Sequence, residues 1–167
     1  MSLGRLTQLI SLVDKEDYHL AGVRKRLFSN DCSVDTSRLQ HLLADDIGID
    51  RLESFGAKFG RMQDTVVDKI IPAVLIAAGE PVAAAIDNLA RMERLELIAS
   101  ADEWLQMRGL RNRLVHEYID RLEDFAPALE RACRFTDRMH TDYGAIRGYA
   151  VTHLGVEPLQ SHPVRDA

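Results

Sequence analysis

Apolar residues recur along the chain at intervals of three and four positions, the spacing that forms one face of an α-helix. Near the amino end, Leu6, Ile10 and Val13 follow this spacing, and the pattern predicts a helix over about residues 3–28. The stretch SNDCSVDTS then interrupts the pattern with turn-forming and capping residues. A short helix is predicted after it, over residues 36–44.

A second long apolar stripe covers residues 50–79. We expect its helix to start at Asp50, whose carboxylate can accept hydrogen bonds from the first free backbone amides. Pro72 lies inside the pattern and predicts a kink or a break, because proline lacks the amide hydrogen that a helix needs. Gly79 is expected to end this helix.

The rest of the chain is also helical in pattern. Residues 82–98 predict one or two short helices, and Ser100 with Glu103 forms an S-x-x-E capping box that predicts the next helix start. Another helix-like segment follows Asp120. No run of alternating β-branched residues occurs, so strands are not predicted. The fold class is therefore expected to be all-α, an up-and-down bundle of four to five helices.

The length of 167 residues suits one domain. We assign residues 1–155 to a single helical domain and expect residues 156–167 to be a disordered tail. The composition, 46% hydrophobic and 28% charged, is that of a globular protein. A net charge of -5 argues against a broadly positive surface for non-specific nucleic-acid binding, so any contact with RNA would have to be local.

Localisation is expected to be cytoplasmic, with no membrane contact. The amino end lacks the layout of a signal peptide, and the apolar run IIPAVLIAAG is shorter than the roughly 18–20 residues that span a bilayer. Cys32 and Cys133 lie far apart and form no C-x-x-C pair. We therefore expect two inert, buried or half-buried thiols in a reducing compartment.

The stretch RGLRNRLVHEYID, residues 108–120, places polar groups on a helical face that should pack. At about 100° per residue, Trp104 and Met107 lie within roughly 60° of Arg111 on a helical wheel, and Tyr118 returns to within about 20° of it. A buried guanidinium without partners is costly. The face at this level is therefore expected to be incompletely covered by its own chain, at a cleft or at a subunit interface.

Two interpretations are open on spacing alone. In the first, Arg111 snorkels or pairs with a carboxylate, His116 is a solvated or capping residue, and Tyr118 packs with its hydroxyl outward. In the second, an arginine, an imidazole and a hydroxyl converge in a cleft. Histidine exchanges protons near neutral pH, and arginine binds phosphate through two parallel donors. These are groups suited to phosphodiester cleavage without a metal.

The same residues carry a family resemblance. RNRLVHEY resembles the R-x4-H-x-Y signature of HEPN domains, all-α proteins of prokaryotic conflict systems, in the branch encoded beside a minimal nucleotidyltransferase. Arg111, Asn112, His116 and Tyr118 match the positions of that signature. WLQMRGLRN resembles the family's helix entry, and FGAKFGRMQDTVVDKIIPAV resembles the long helix before it. The resemblance covers about residues 3–145.

The resemblance implies an endoribonuclease toxin that needs no metal or cofactor and acts as a homodimer with a composite cleft. His116 would be the general base or acid, Arg111 would stabilise phosphoryl charge, and Asn112 would orient the histidine or the phosphate. A partner nucleotidyltransferase antitoxin would attach nucleotide to Tyr118 and block the entry of phosphate. Arg108 is added as a substrate-binding residue from the helical wheel alone.

Three other functions are considered. A HEPN-like protein can be a non-enzymatic binding or substrate-holding partner of a nucleotidyltransferase. HEYID resembles the zinc motif H-E-x-x-H only superficially, because Asp120 stands where the second histidine is required, so metal-assisted hydrolysis is disfavoured. A plain dimerisation module is the third, and the apolar stripes do not distinguish it, since every helical bundle needs them.

Overall fold

The computed structural model describes residues 3–116 and 121–159, with the backbone alone at Val115 and His116. All regular elements within these ranges are helical, which confirms the all-α prediction. The elements are α1 (Leu3–Leu27), α2 (Thr36–Leu43), α3 (Asp46–Thr65), a π-helical turn (Val66–Ile70), α4 (Ile71–Ala77), α5 (Ala85–Arg94), α6 (Ala101–His116) and α7 (Leu122–His153). Since α3, the π turn and α4 are continuous, the described part has six helical units, more than the four or five predicted.

The long helical units form a ring in which each neighbour runs antiparallel. Phe28, just after α1, meets Phe55 in the first half of α3 with ring centroids 5.1 Å apart. Gly60 of α3 lies against Arg111 of α6. Asp17 of α1 pairs with His140 of α7 at 2.9 Å. Contacts between α6 and α7 close the ring, so these units run alternately up and down.

The apolar stripes predicted from the sequence line the inside of this ring. Burying one large aliphatic or aromatic side chain stabilises a fold by roughly 1.5–3 kcal/mol, so these residues supply most of the driving force. The largest side chains with less than 2% exposure are Trp104, Phe55, Phe59, Leu6, Ile10, Leu27, Leu39, Met62, Ile70, Ile71, Leu75 and Leu89. Val156 is also buried, so packing continues past residue 155.

The irregularity predicted at Pro72 is a π turn before the proline and not a break. The amide of Ile71 donates to the carbonyl of Val66, five residues back. Pro72 has no amide hydrogen, and in a regular helix its ring would press on the carbonyl of Asp68. The wider turn accommodates both constraints and keeps the helix continuous. It also places Asp68 within the turn, facing the neighbouring helix α6.

The start of the long helix was predicted wrongly. The helix begins at Asp46, and the capping residue is Asp45, whose Oδ1 accepts from the amide of Gly48 at 2.7 Å. Asp50 lies one turn inside. Gly48 is required here, because a Cβ would lie 1.8 Å from the carbonyl oxygen of Leu42. The close contact between α2 and the first turn of α3 therefore fixes the boundary, and periodicity alone does not show it.

Cys32 and Cys133 are buried as expected but are not free thiols. They form a disulfide with Cα atoms 5.7 Å apart and 101 residues of sequence separation. The prediction of two inert thiols was wrong because the pairing depends on how the loop after α1 folds against α7. No helix in residues 3–116 and 121–159 is long and apolar enough to cross a membrane.

Asp142 of α7 is a buried carboxylate, 3% exposed, that joins α7 to the start of α6. Its Oδ2 accepts from Trp104 Nε1 at 2.8 Å, and its Oδ1 accepts from the amide of Ala99 at 3.2 Å. Burial raises the pKa of Asp142, and the hydrogen bond from Trp104 opposes that rise. The folded state therefore holds a proton on Asp142 at pH values where the unfolded chain has lost it.

The pKa of Asp142 gives a pH-dependent prediction for Trp104→Phe, which keeps a ring but removes the donor. A carboxyl group whose pKa is raised by folding contributes to stability in its protonated form. This contribution is fully present below pH 3.8, the ordinary pKa, and is lost as pH rises through the raised pKa. Losing the Trp104 hydrogen bond raises the pKa further and deepens that loss. We expect the variant's loss of unfolding free energy to be about 1–2 kcal/mol larger at pH 7 than at pH 4.

Denaturant unfolding of wild type and variant at both pH values measures this difference. Met107→Leu is the matched control, since Met107 is also fully buried on α6 but carries no strong hydrogen-bond donor. Its loss of stability should be the same at both pH values. An equal loss for Trp104→Phe at pH 4 and pH 7 would contradict the assignment.

Candidate functional site

Helix α6 carries Arg111 and Asn112, the first two residues of the motif, on a well-anchored scaffold. Half of the predicted capping box forms, with the amide of Glu103 donating to Ser100 Oγ at 3.2 Å, while the Glu103 carboxylate lies 3.1 Å from Arg138 Nε. Trp104 and Met107, predicted to share the packing stripe with Arg111, are both fully buried. The helix axis is therefore fixed by core packing, and residues on the edges of its stripe are held in defined positions.

Arg111 lies at the edge of the packed face and pairs with a carboxylate of its own chain. Its Nη1 lies 2.8 Å and 2.9 Å from the two carboxylate oxygens of Asp64 on α3. The space for the side chain comes from Gly60, where a Cβ would lie 2.9 Å from Arg111 Cγ. A glycine and an aspartate one turn apart on α3 thus explain why an arginine occupies this face.

The face at the level of Arg111 is incompletely covered, as expected, although helix α3 supplies the guanidinium with a partner from the same chain. Pairing with a carboxylate, the first of the two interpretations, is confirmed for Arg111. The Arg111 side chain nevertheless remains 41% exposed, so solvent and small ligands can reach it.

Arg108 repeats the arrangement one turn earlier on α6. Its Nη2 lies 2.6 Å from Asp68 Oδ1 on the π turn. We call the four residues Arg108, Arg111, Asp64 and Asp68 the arginine–aspartate seam. Its formal charge is zero, and its members are partly exposed, so each pair contributes only about 0–1 kcal/mol to stability. An incoming phosphate therefore competes with a weak internal partner.

The remaining predicted site residues are placed less completely. Asn112 is exposed on α6, next in sequence to Arg111. His116 is the last residue of α6, and its side chain is outside the described residues, as is Tyr118. The structure thus brings together Arg108 and Arg111 along one edge of α6. The predicted convergence with His116 and Tyr118 stays a prediction.

The opposite side of α6 borders a groove of about 650 Å³ against α7 that the sequence did not reveal. Arg131 Nη2 donates to Gln106 Oε1 at 2.7 Å and lies 5.5 Å from the ring centre of Phe135. The groove is also lined by three carboxylates, Asp102, Glu103 and Asp137, and by two further arginines, Arg134 and Arg138. Its three carboxylates and three arginines balance, as the charges of the seam do, and its lining contains no residue of the motif.

Within residues 3–116 and 121–159, no group of three or more histidine, cysteine, aspartate or glutamate side chains is placed to hold a metal ion. Asp64 and Asp68, the carboxylates described beside Arg111 and Arg108, are engaged with those arginines. The chemistry offered by the described part of the site is thus cationic hydrogen bonding from guanidinium groups, which suits phosphate oxygens.

Comparison with known proteins adds no assignment to this geometry. No family model, no curated protein and no solved structure matches the chain.

Proposed function

We propose that this protein is a cytoplasmic, metal-independent endoribonuclease toxin of the HEPN type. The observation that supports it most is the placement of Arg111, which opens the R-x4-H-x-Y signature. Its guanidinium is partly exposed, held at a fixed point on α6, and paired with a carboxylate that a phosphate can replace. Such a group is preorganised to stabilise charge on a phosphoryl oxygen.

In the proposed mechanism, His116 removes the proton from the RNA 2′-hydroxyl, which attacks the adjacent phosphate, and later returns a proton to the leaving oxygen. Arg111 neutralises the charge that develops on the phosphoryl oxygens, and Asn112 orients the histidine or the phosphate. Two copies of the motif face each other in a homodimer. Arg108 adds positive charge at the rim once Asp68 is displaced.

The proposed regulation acts on Tyr118. A minimal nucleotidyltransferase antitoxin attaches nucleotide to its hydroxyl, and the added bulk and negative charge beside Arg111 and His116 exclude RNA. The overall charge of -5 leaves RNA recognition to local groups, and Arg108 and Arg111 are available to phosphate once their aspartate partners are displaced.

The experiment that tests the activity compares wild type with His116→Ala on total tRNA and a short structured RNA, with a chelator present. Wild type is expected to give defined products, and His116→Ala to be slower by about 10²–10⁴-fold, since a general acid–base group contributes that much. Arg111→Ala should lose activity as well. If neither wild type nor variant cuts RNA, and the mass of the Tyr118 peptide is unmodified, the enzymatic proposal fails.

Asp64→Asn isolates the role of the internal partner of Arg111. Removing the carboxylate charge frees the guanidinium for phosphate, so RNA should bind about 3–10 times more tightly, while the free energy of unfolding falls by less than about 1 kcal/mol. Affinity is measured in a His116→Ala background, which prevents cleavage during the titration. Unchanged or weaker RNA binding would show that Arg111 does not contact phosphate.

Asp68→Asn is the matched variant for that titration. It frees Arg108, which was assigned to substrate binding from the helical wheel alone. A smaller gain in affinity than for Asp64→Asn is expected, because Arg108 lies one turn further from the signature. An equal gain would mean that the seam acts as a general positive patch and not through Arg111.

Gly60→Ala tests whether the position of Arg111 matters and not only its charge. The new methyl would lie 2.9 Å from Arg111 Cγ, so the arginine side chain must move. Alanine favours a helix by about 1 kcal/mol over glycine, and this gain offsets the loss from the displaced arginine. The free energy of unfolding should therefore change little. We expect cleavage to fall by about 10-fold or more, since small misplacements of catalytic groups are costly.

Gly56→Ala is the control for that substitution. It lies one turn away on the same face of α3, and its Cβ would meet the carbonyl of Leu114 at 3.4 Å, an ordinary contact. This variant should keep full activity. If both alanine variants cleave RNA at the wild-type rate, the position of the Arg111 side chain against Gly60 does not matter for function.

One observation favours the alternative, a non-enzymatic binding or substrate-holding partner of a nucleotidyltransferase. Both arginines of the seam are already neutralised by carboxylates within the chain, as expected of a purely structural contact. Intact binding of a nucleotidyltransferase together with no cleavage by wild type would select this alternative.

A further inference from the structure

The described contacts between α7 and residues 28–35, the loop between α1 and α2, include a covalent bond and a hydrogen bond. One is the disulfide from Cys32 to Cys133. The other is a hydrogen bond from the amide of Val34 to Glu130 Oε1 at 3.1 Å. Within the loop, the amide of Cys32 donates to Ser29 O at 3.2 Å. The disulfide is therefore the only covalent link among the described contacts that fix this loop to the bundle.

The sulfur of Cys32 has a cationic neighbour. Arg24 Nη2 lies 3.3 Å from Cys32 Sγ, and Arg24 Nε donates to the carbonyl of Cys133 at 3.5 Å. The same guanidinium pairs with Asp137 at 3.0 Å, but that carboxylate is 68% exposed and therefore well screened by solvent. A guanidinium beside a sulfur stabilises the thiolate, the form that reacts in thiol–disulfide exchange.

The surroundings of Cys32 differ from those of an inert core thiol. Its backbone has φ of 61°, a left-handed conformation that non-glycine residues seldom adopt. Its neighbours Asp31 and Ser33 are exposed, so the sulfur lies one residue layer below the surface. A groove of about 300 Å³, lined in part by Arg24, Phe28, Asn30 and Asp137, opens beside this loop. Neither sulfur lines this groove and Cys32 is 2% exposed, so a small thiol reagent reaches Cys32 only when the loop opens.

We propose that Cys32 and Cys133 form a reversible redox site, with Cys32 as the reacting sulfur and a low-molecular-weight disulfide as the oxidant. The Cys32 thiolate, beside Arg24, attacks one sulfur of the reagent, whose S–S bond breaks and releases one thiolate. The Cys133 thiolate then attacks Cys32 Sγ in the mixed disulfide and expels the second. Two cysteine thiols are oxidised, their protons pass to the two released thiolates, and the reagent is reduced to two thiols.

The structural consequence of reduction is local. Without the disulfide, the Val34–Glu130 hydrogen bond remains as the link from the loop to α7, together with the Arg24 contacts at its base. Both cysteines are buried at the edge of a core that is otherwise built from many larger apolar side chains of the long helices. Reduction therefore leaves residues 28–35 held by non-covalent contacts alone, which loosens them while the bundle stays folded, and this inference does not depend on the ribonuclease proposal.

The first test measures the reactivity of Cys32. Fully reduced wild type, Arg24→Gln and Arg26→Gln are treated with iodoacetamide at neutral pH, and modification of the Cys32 peptide is followed by mass spectrometry. Arg26 is the matched control, a basic and exposed residue of the same helical turn. We expect Arg24→Gln to slow alkylation at least 3-fold and Arg26→Gln to leave it unchanged. Equal rates for all three proteins would overturn the role of Arg24.

Arg24→Lys separates the effect of the positive charge from the effect of lost packing. It keeps a positive charge near the sulfur, so it should alkylate faster than Arg24→Gln, and circular dichroism before each reaction checks that every variant is folded. If Arg24→Lys is as slow as Arg24→Gln in a folded protein, the cation is not what activates Cys32, and the proposal fails.

The second test measures formation of the Cys32–Cys133 disulfide and its effect on amide hydrogen exchange. Reduced wild type is incubated with oxidised glutathione, and the intramolecular disulfide is quantified by mass. Hydrogen exchange is then compared between oxidised and reduced protein. Closure should slow exchange in residues 28–35 and leave the centres of α3 and α6 unchanged. Failure to form the internal disulfide, or equal exchange of residues 28–35 in both forms, would overturn the proposal.

Discussion

The close approach of α3 and α6 is the constraint on which the candidate site depends. Gly56 and Gly60, one turn apart, leave room for Leu114 and for the stem of Arg111, respectively. Because glycine has no Cβ, the arginine can lie across α3 and reach Asp64 one turn further on, at 2.8 Å. A larger residue at position 60 would push the guanidinium outward and separate the pair. The glycines therefore determine where the charge of the motif is located.

The sequence predicted the elements well where local periodicity decides them, and poorly where a second element decides them. The extent of α1, the capped start of α6 and the burial of Trp104 and Met107 follow from spacing and capping chemistry. The helix start at Asp45 was missed because it depends on the contact between Gly48 and α2. The apolar pattern of one helix does not predict which residues of a second helix it will contact.

The same limit applies to the site. The wheel placed Arg111 correctly on the packing side of α6 but suggested an opening toward a second subunit, whereas Asp64 supplies the partner. The disulfide was missed for the same reason, since its 101-residue separation leaves no local signal. In both cases the decisive residue is distant in sequence, and only tertiary packing brings it close.

Energetics bear on whether Arg111 serves the fold or a ligand. Its pair with Asp64 is partly exposed and contributes about 0–1 kcal/mol. An aliphatic side chain in the same place would bury apolar area against α3, as the stem of Arg111 already does, and would need no carboxylate partner. Stability alone therefore gives no advantage to arginine here. A half-exposed arginine that adds little to stability is available to a ligand, and this is the physical argument for the proposed phosphate-binding role over a purely structural contact.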